Sequence, residues 1–406
     1  MSNPDDAGQS APWAVRTARL FDGRTGHSGA PVVHLQGRRI VDVDLTGAPP
    51  ASAVPVVDLG DVTLLPGLID AHVHLSFDPD RSDHAVMAEE DRSAMFERTE
   101  HNAREYLRSG ITAVRDLGDR DHVVRAVRDH HAARGAELPE ILAAGSPITP
   151  HDGHAWYLGG GADSDPEVGD AVAARADSGA DVVKIMATGG ATTRGSRWAE
   201  YESQYPADVL RTAARTSHAR DVPITAHAHG AEGITACVAA GMDGIEHGSF
   251  FTDNGAVLPD WDTVDAMAAR GTFLGATEAW NPDGPPLPPQ GRRRIEQRAE
   301  AFAQMHRRGV RFVCCSDSGL SLRKPHAVLP HGVIHFGADL GFTNAEALAA
   351  ATSVPAQSCG LGDRKGRVAP GFDADLIAVR GNPVHDLNAL LEVTTIIRDG
   401  QRITGR

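Results

Sequence analysis

The stretch Leu65-Pro66-Gly67-Leu68-Ile69-Asp70-Ala71-His72-Val73-His74-Leu75 decides how the chain is read. Leu64, Leu65, Leu68 and Ile69 read as core, and Pro66-Gly67 marks a break where the chain enters a new unit. The apolar run then ends in two histidines spaced i, i+2. On a strand, side chains two apart point to the same side, so both imidazoles reach one point just beyond the strand end. Two imidazoles so placed make half of a metal site. The alternative is a polar strand end with two unrelated histidines. The ends of later strands decide between them.

Working outward toward the C-terminus, strands and helices alternate. Ile111–Asp116 follows the helix stop Ser109-Gly110, and Glu140–Ala144 ends at Gly145. Val182–Ala187 runs from Gly179-Ala180-Asp181 to Gly189-Gly190. Pro223–Ala226 leads into His227, and Gly244-Ile245-Glu246 leads into His247. Thr272–Gly275 and Val310–Cys315 complete eight with the strand before His72. Amphipathic stretches such as Arg92–Leu107, Asp208–Ala219 and Val264–Arg270 lie between them. Eight βα units in series predict an α/β fold, a parallel (β/α)8 TIM barrel.

Both ends of the chain have a different texture. Ala14–Leu20, Pro31–Leu35, Arg39–Asp44, Val54–Asp58 and Val62–Leu65 read as short strands separated by turns. Ala374–Val379 and Thr394–Arg398 read the same way. The economical arrangement is one small β-sandwich built from residues 1–64 and 365–406, with the barrel, residues 65–364, inserted between them. Residues 1–11 read as a disordered polar lead.

A chain of 406 residues suits one large barrel with such an appendage. Its net charge of -15 argues against a nucleic-acid or anionic-membrane partner but does not identify a substrate; the expected partner is a small molecule. Cys237, Cys314, Cys315 and Cys359 form no C-x-x-C pair, and adjacent cysteines do not easily bridge each other. They read as reduced core thiols, which suits a cytoplasmic protein. Met1–Ser10 has no apolar signal-like region, and no apolar run is long enough to span a bilayer.

The active site of a barrel lies at the C-terminal ends of its strands. Strand one supplies His72 and His74, strand four Lys184, strand five His227, strand six His247 and strand eight Asp317. Lys184 is the odd member, because a lysine among Val, Ile and Met is costly unless neutralised, paired or modified. A desolvated amine is partly neutral and can capture carbon dioxide, giving an anionic carbamate suited to bridging two cations. The alternative is a barrel lysine paired with a buried acid.

Taken together, these strand ends resemble the metal-dependent amidohydrolase superfamily, over a span from about Leu64 to Gly400. Leu65–Leu75 is similar to its opening strand. Lys184-Ile185-Met186-Ala187-Thr188-Gly189-Gly190, His227-Ala228-His229-Gly230 and Ile245-Glu246-His247-Gly248 resemble the Xaa-Pro dipeptidase-like branch, related to imidazolonepropionases and ochratoxin amidases. Ala351-Thr352-Ser353-Val354-Pro355-Ala356 and Pro370-Gly371-Phe372-Asp373-Ala374-Asp375-Leu376 fit it too.

The resemblance implies a binuclear centre of two divalent metal ions, zinc by default. His72, His74 and Asp317 would hold one metal and His227 and His247 the other, with carboxylated Lys184 as the bridging ligand. It implies attack by a metal-bridging hydroxide, with Asp317 as general acid and base, and a homo-oligomeric state. Ser146–His154 aligns with a loop that usually reads Thr-Gly-Gly-His, so His154 matches the histidine that touches the scissile carbonyl. His151 and Asp152 stand where small residues are usual. His151 and His229 are candidate substrate contacts or merely solvated or supporting histidines. Arg194 and Arg197 can clamp a substrate carboxylate or lie in solvent as surface arginines. Trp280–Arg294, rich in proline, reads as a pocket wall, a lid, a surface loop or a subunit contact. His326 reads as exposed.

The expected activity is hydrolysis of an amide bond in a dipeptide or N-acyl amino acid. A cyclic amide, lactone or carbamate is the alternative on the same centre. The full ligand set argues against a non-catalytic barrel.

Overall fold

The computed structural model describes residues 11–48, 54–132 and 137–403. The polar lead over residues 1–10 lies outside them. Eight parallel strands form the centre: β1 (Leu68–Val73), β2 (Ile111–Asp116), β3 (Glu140–Ala143), β4 (Val183–Met186), β5 (Ile224–Gly230), β6 (Gly244–Phe251), β7 (Phe273–Ala276) and β8 (Arg311–Cys314). Helices such as Arg92–Arg108, Ala207–His218 and Trp261–Arg270 lie between them. Every residue of β4, β5 and β6 is buried, which is why these strands read as apolar runs with no exposed face.

The strands do not form the single closed sheet expected of a barrel. They make a three-stranded sheet, β1 to β3, and a five-stranded sheet, β4 to β8. Each seam between them carries an isolated parallel bridge, Ile148 to Ile185 on one side and Val73 to Ser318 on the other. Backbone conformation accounts for both breaks. Gly145, just after β3, has φ 72, and Asp317, just after β8, has φ 54, so neither strand continues straight into a ladder with its neighbour.

The chain ends also form two sheets. One has four strands, in the order Arg39–Asp44, Val32–Gln36, Trp13–Arg16, Val56–Asp58. The other draws on both ends of the chain, in the order Gln401–Arg402, Val393–Arg398, Leu376–Arg380, Val62–Pro66, Arg19–Phe21, Gly26–Ser28. The run expected as one strand over Ala14–Leu20 is therefore split between the sheets. Thr17 Oγ1 donates to the Arg19 carbonyl at 2.8 Å, a local bond that turns the chain there. Val15, Val33, Leu35 and Ile40 share an apolar cluster with Leu20, Leu64, Leu376 and Ile397 of the larger sheet.

At Pro66-Gly67 the chain leaves the mixed sheet and enters β1. A Cβ on Gly67 would lie 2.1 Å from Thr112 Oγ1, so only glycine lets β1 start this close to β2. Among the described residues no helix is long and apolar enough to cross a membrane.

Candidate metal centre

His72 and His74 leave the end of β1 on one side, as their spacing requires. Their Nε2 atoms lie 3.4 and 3.3 Å from Asp317 Oδ1. Asp317 is brought over from β8 by its own backbone, whose N–H donates to the His72 carbonyl at 2.8 Å. Burial opposes ionisation of Asp317, but His72, His74 and Lys324 outweigh it and hold its carboxyl below the usual range.

A second trio gathers at the ends of β5 and β6. His227 and His229 share one side of β5, and their ring centroids lie 4.6 and 4.4 Å from that of His247. The His72 ring is 5.2 Å from His247, so the two trios adjoin. Within each trio the candidate donor atoms all lie within 4.8 Å of one another.

The rings are oriented from behind. Through Nδ1, His72 meets Glu246 Oε2 at 2.9 Å, His74 the Gly118 carbonyl at 3.2 Å, His229 Ser249 Oγ at 2.9 Å and His247 Thr277 Oγ1 at 3.0 Å. Each leaves Nε2 forward. His227 is reversed: its Nε2 meets the Gly189 carbonyl at 3.0 Å, leaving Nδ1 forward. Such bonds fix tautomer and ring plane before any ligand arrives.

Lys184 rises from β4 into the same cavity. Its Nζ is buried and has no hydrogen-bond partner among the described residues. Burial pushes its amine down to about 8, against the attraction of Glu246 and Asp317. Donors of imidazole and carboxylate type, together with this unpartnered amine, fit a pair of divalent cations.

Residues 63–403 match the Amidohydrolase family. The chain belongs to that family. This amidohydrolase is 26% identical over 386 residues to the ochratoxinase of Aspergillus niger, a match covering 84% of this chain and 76% of that one. It is also similar to a solved Xaa-Pro dipeptidase with methionine bound in its active site. The TM-score is 0.84 at 26% identity, with 97% of this chain and 100% of that one covered. The crystal structure of the A. niger ochratoxinase shares the fold, with a TM-score of 0.82 at 21% identity over 98% of this chain and 97% of that one. The amidohydrolase is thus a hydrolase acting on C–N bonds.

Its candidate site opens into a cavity of about 340 Å³. His154 lines it, with its ring 4.4 Å from His227 and its Nδ1 2.8 Å from Thr193 Oγ1. Burial and the nearby charges of His229 and Lys184 push the His154 imidazole down to about 3, so it is neutral. Gly190 makes room for it, because a Cβ there would come within 2.4 Å of the ring.

The other expected substrate contacts fare differently. His229 lies in the cavity wall, inside the second trio, stacked on His247 and Phe251. His151 does not reach the cavity: its side chain is 69% exposed, and its backbone N–H and Nδ1 both engage Asp163. Arg194 and Arg197 are also exposed and outside the cavity, and Arg197 lies 5.2 Å over the Trp198 ring. Solvation of these long charged side chains outweighs anything the loop offers them. His326, expected in solvent, is instead largely buried. Its Nε2 meets the Phe77 carbonyl at 3.1 Å, and its Nδ1 meets the Tyr106 hydroxyl at 3.2 Å.

The proline-rich segment divides. Trp280 and Leu287 line the cavity, while Pro289 already begins a helix, Pro289–Arg307. The residues that the sequence reading missed act from behind or from the wall. Glu246 accepts from Arg115 at 3.1 Å and from Thr225 Oγ1 at 2.8 Å while holding His72. Its place beside His247 was the available signal. Arg298, paired with Glu278 at 2.6 Å, lines the cavity from the helix after β7, and no motif marks it.

Proposed function

We propose that this amidohydrolase is a binuclear metal-dependent enzyme cleaving the amide bond of a dipeptide or an N-acyl amino acid. The observation that carries the reading is the convergence of both trios on the unpartnered Lys184 Nζ at one cavity. His72, His74 and Asp317 would hold one cation and His227 and His247 the other, with carboxylated Lys184 shared between them. Zinc suits this donor set, and two such cations, when bound, supply carbonyl polarisation and a water acidic enough to ionise near neutral pH.

The remaining work falls to the chain. Asp317 turns Oδ1 toward the two Nε2 atoms, which leaves Oδ2 to accept a proton and pass it to the departing nitrogen. Thr193 Oγ1 accepts the Ala155 N–H at 2.9 Å and has its own hydrogen to donate to His154 Nδ1. In that tautomer the ring proton of His154 sits on Nε2, as a neutral donor to the carbonyl oxygen. His229, its Nδ1 tied to Ser249, presents Nε2 beside His227 and His247 as a substrate contact. Phe77, Tyr157, Leu158 and Met186 supply apolar walls that exclude water.

The test incubates zinc-loaded protein, in bicarbonate, with a mixed library of dipeptides and N-acyl amino acids, followed by mass spectrometry. Cleavage that falls about 10²–10⁴-fold on Asp317→Asn supports the reading. Two cations bound per chain with no member consumed would sink the substrate class, and lactones, carbamates and cyclic amides would follow.

A further inference from the structure

Arg298 is 8% exposed, yet its guanidinium lines the cavity. A guanidinium carries five N–H donors and does not shed its charge. On one edge Nε contacts Glu278 Oε1 at 2.6 Å, and Phe302, one turn along the same helix, sits 6.0 Å from the guanidinium carbon. Those contacts fix the plane of the group. The ion pair to Glu278 is made through Nε, and among the described residues the terminal nitrogens donate no hydrogen bond.

Its neighbours are different. Lys324 Nζ donates to the Thr277 and Ser316 carbonyls at 2.8 and 2.7 Å. Arg323 donates to the Pro285 and Pro286 carbonyls at 2.7 and 2.6 Å. Arg294 donates to Glu200 at 3.0 Å. These cations are engaged with the protein, whereas Arg298 offers a free fork. Arg298 lines the same cavity as both histidine trios.

Glu278 balances the charge at Nε, but unused terminal N–H donors beside a cavity are costly unless an acceptor there completes them. We infer that Arg298 anchors a carboxylate of the substrate, through Nη1 and Nη2, while the scissile group lies against the two histidine trios. The inference rests on the hydrolase reading above and narrows it: the free carboxylate becomes a requirement, met at Arg298 and not at Arg194 or Arg197. Substrates whose carboxylate is blocked as a carboxamide lose a bidentate, charge-assisted pair.

The experiment uses Asp317→Asn protein whose two zinc ions per chain are first confirmed by mass spectrometry, and two probes, N-acetyl-L-phenylalanine and N-acetyl-L-phenylalaninamide. Calorimetry is expected to show the acid binding about 10–100-fold more tightly than the amide. Adding Arg298→Gln should bring that ratio close to one. Arg298→Lys, which keeps the charge and loses the fork, should give an intermediate ratio and serves if the glutamine variant does not fold.

Equal affinity for the two probes, whether measurable or absent, overturns the inference, and so does a ratio that survives both substitutions. Failure of the hydrolase reading looks different. An acid preference that depends on Arg298, in a protein that cleaves nothing in the library, leaves the anchor standing and removes the reaction. Equal cleavage of acids and amides by the native enzyme does the reverse.

Discussion

Lys184 and Lys365 are buried to nearly the same degree, 2% and 3% exposed, at opposite ends of the parallel strands. Lys365 Nζ sits among three carboxylates: Asp375, Asp373 at 3.0 Å and Glu140 at 3.1 Å. Burial would lower its pKa, but Asp375, Glu140 and Asp373 outweigh it and raise the amine above its ordinary value. Lys184 has no hydrogen-bond partner among the described residues, and burial wins, taking its amine down to about 8. The same side chain at the same depth is therefore held as a cation in one place and left with a lowered pKa in the other. Partners, more than burial, separate a structural lysine from a chemical one.

The surroundings repeat the contrast. Around Lys365, Arg364 meets Glu140 and Asp373, and Arg398 meets Asp375 and Asp399. This network ties the start of β3 to the sheet formed by both chain ends. Around Lys184, the histidines are tied from behind and open in front, and Arg298 keeps unused donors.

Exchanging the two lysines for methionine breaks the comparison most directly. Lys184→Met should abolish turnover and lower the bound zinc measured by mass spectrometry. The metal-free variant should melt no lower than the parent, since an unpartnered buried amine is removed. Lys365→Met should do the opposite. Unpaired carboxylates remain, so denaturant unfolding should show a loss of about 3–5 kcal/mol, with turnover per folded molecule retained. A Lys184→Met protein that keeps both metal and activity would show that the two lysines do not differ in role.

Glu246→Gln probes how the open site is held. It keeps the shape behind His72 but weakens the charge-assisted bond and disturbs Arg115. Zinc affinity, read by chelator competition, should fall about 10–100-fold while the melting temperature of the metal-free protein moves less.

The smallest effect sharpens the paired side. Burial favours the protonated form of Glu140, but Arg364 and Lys365 outweigh it and lower its pKa from 4.5 to about 2. A folded-state pKa below the unfolded one contributes stability above pH 4.5, lost as pH falls toward about 2. Glu140→Gln should flatten that part of the acid limb in a plot of melting temperature against pH. A limb of unchanged slope would remove Glu140 from the network's energetics.

Much of the site was legible because strand alternation and strand ends are local properties. His72-Val73-His74 and His227-Ala228-His229 each announce two rings on one side, while β4 carries Lys184, β6 carries His247 and the turn after β8 carries Asp317. Loop residues were legible only as types. His151 and Arg194 have the chemistry for substrate contact, but Asp163 and solvent claim them. Arg298 has no motif, because it sits on an ordinary amphipathic helix, and only the turn of that helix carries it into the cavity.

The sequence by itself determined the strand and helix succession, the apolar runs of the parallel strands and the identity of the strand-end donors. Each is set by residue type at short spacing, where alternation and turn chemistry act. Only the tertiary structure decided which donors meet, that Lys184 is unpartnered while Lys365 is ion-paired, and that Arg298 faces the cavity. Those outcomes depend on groups far apart in the chain. Electrostatics between them acts through space, and spacing along the chain does not encode it.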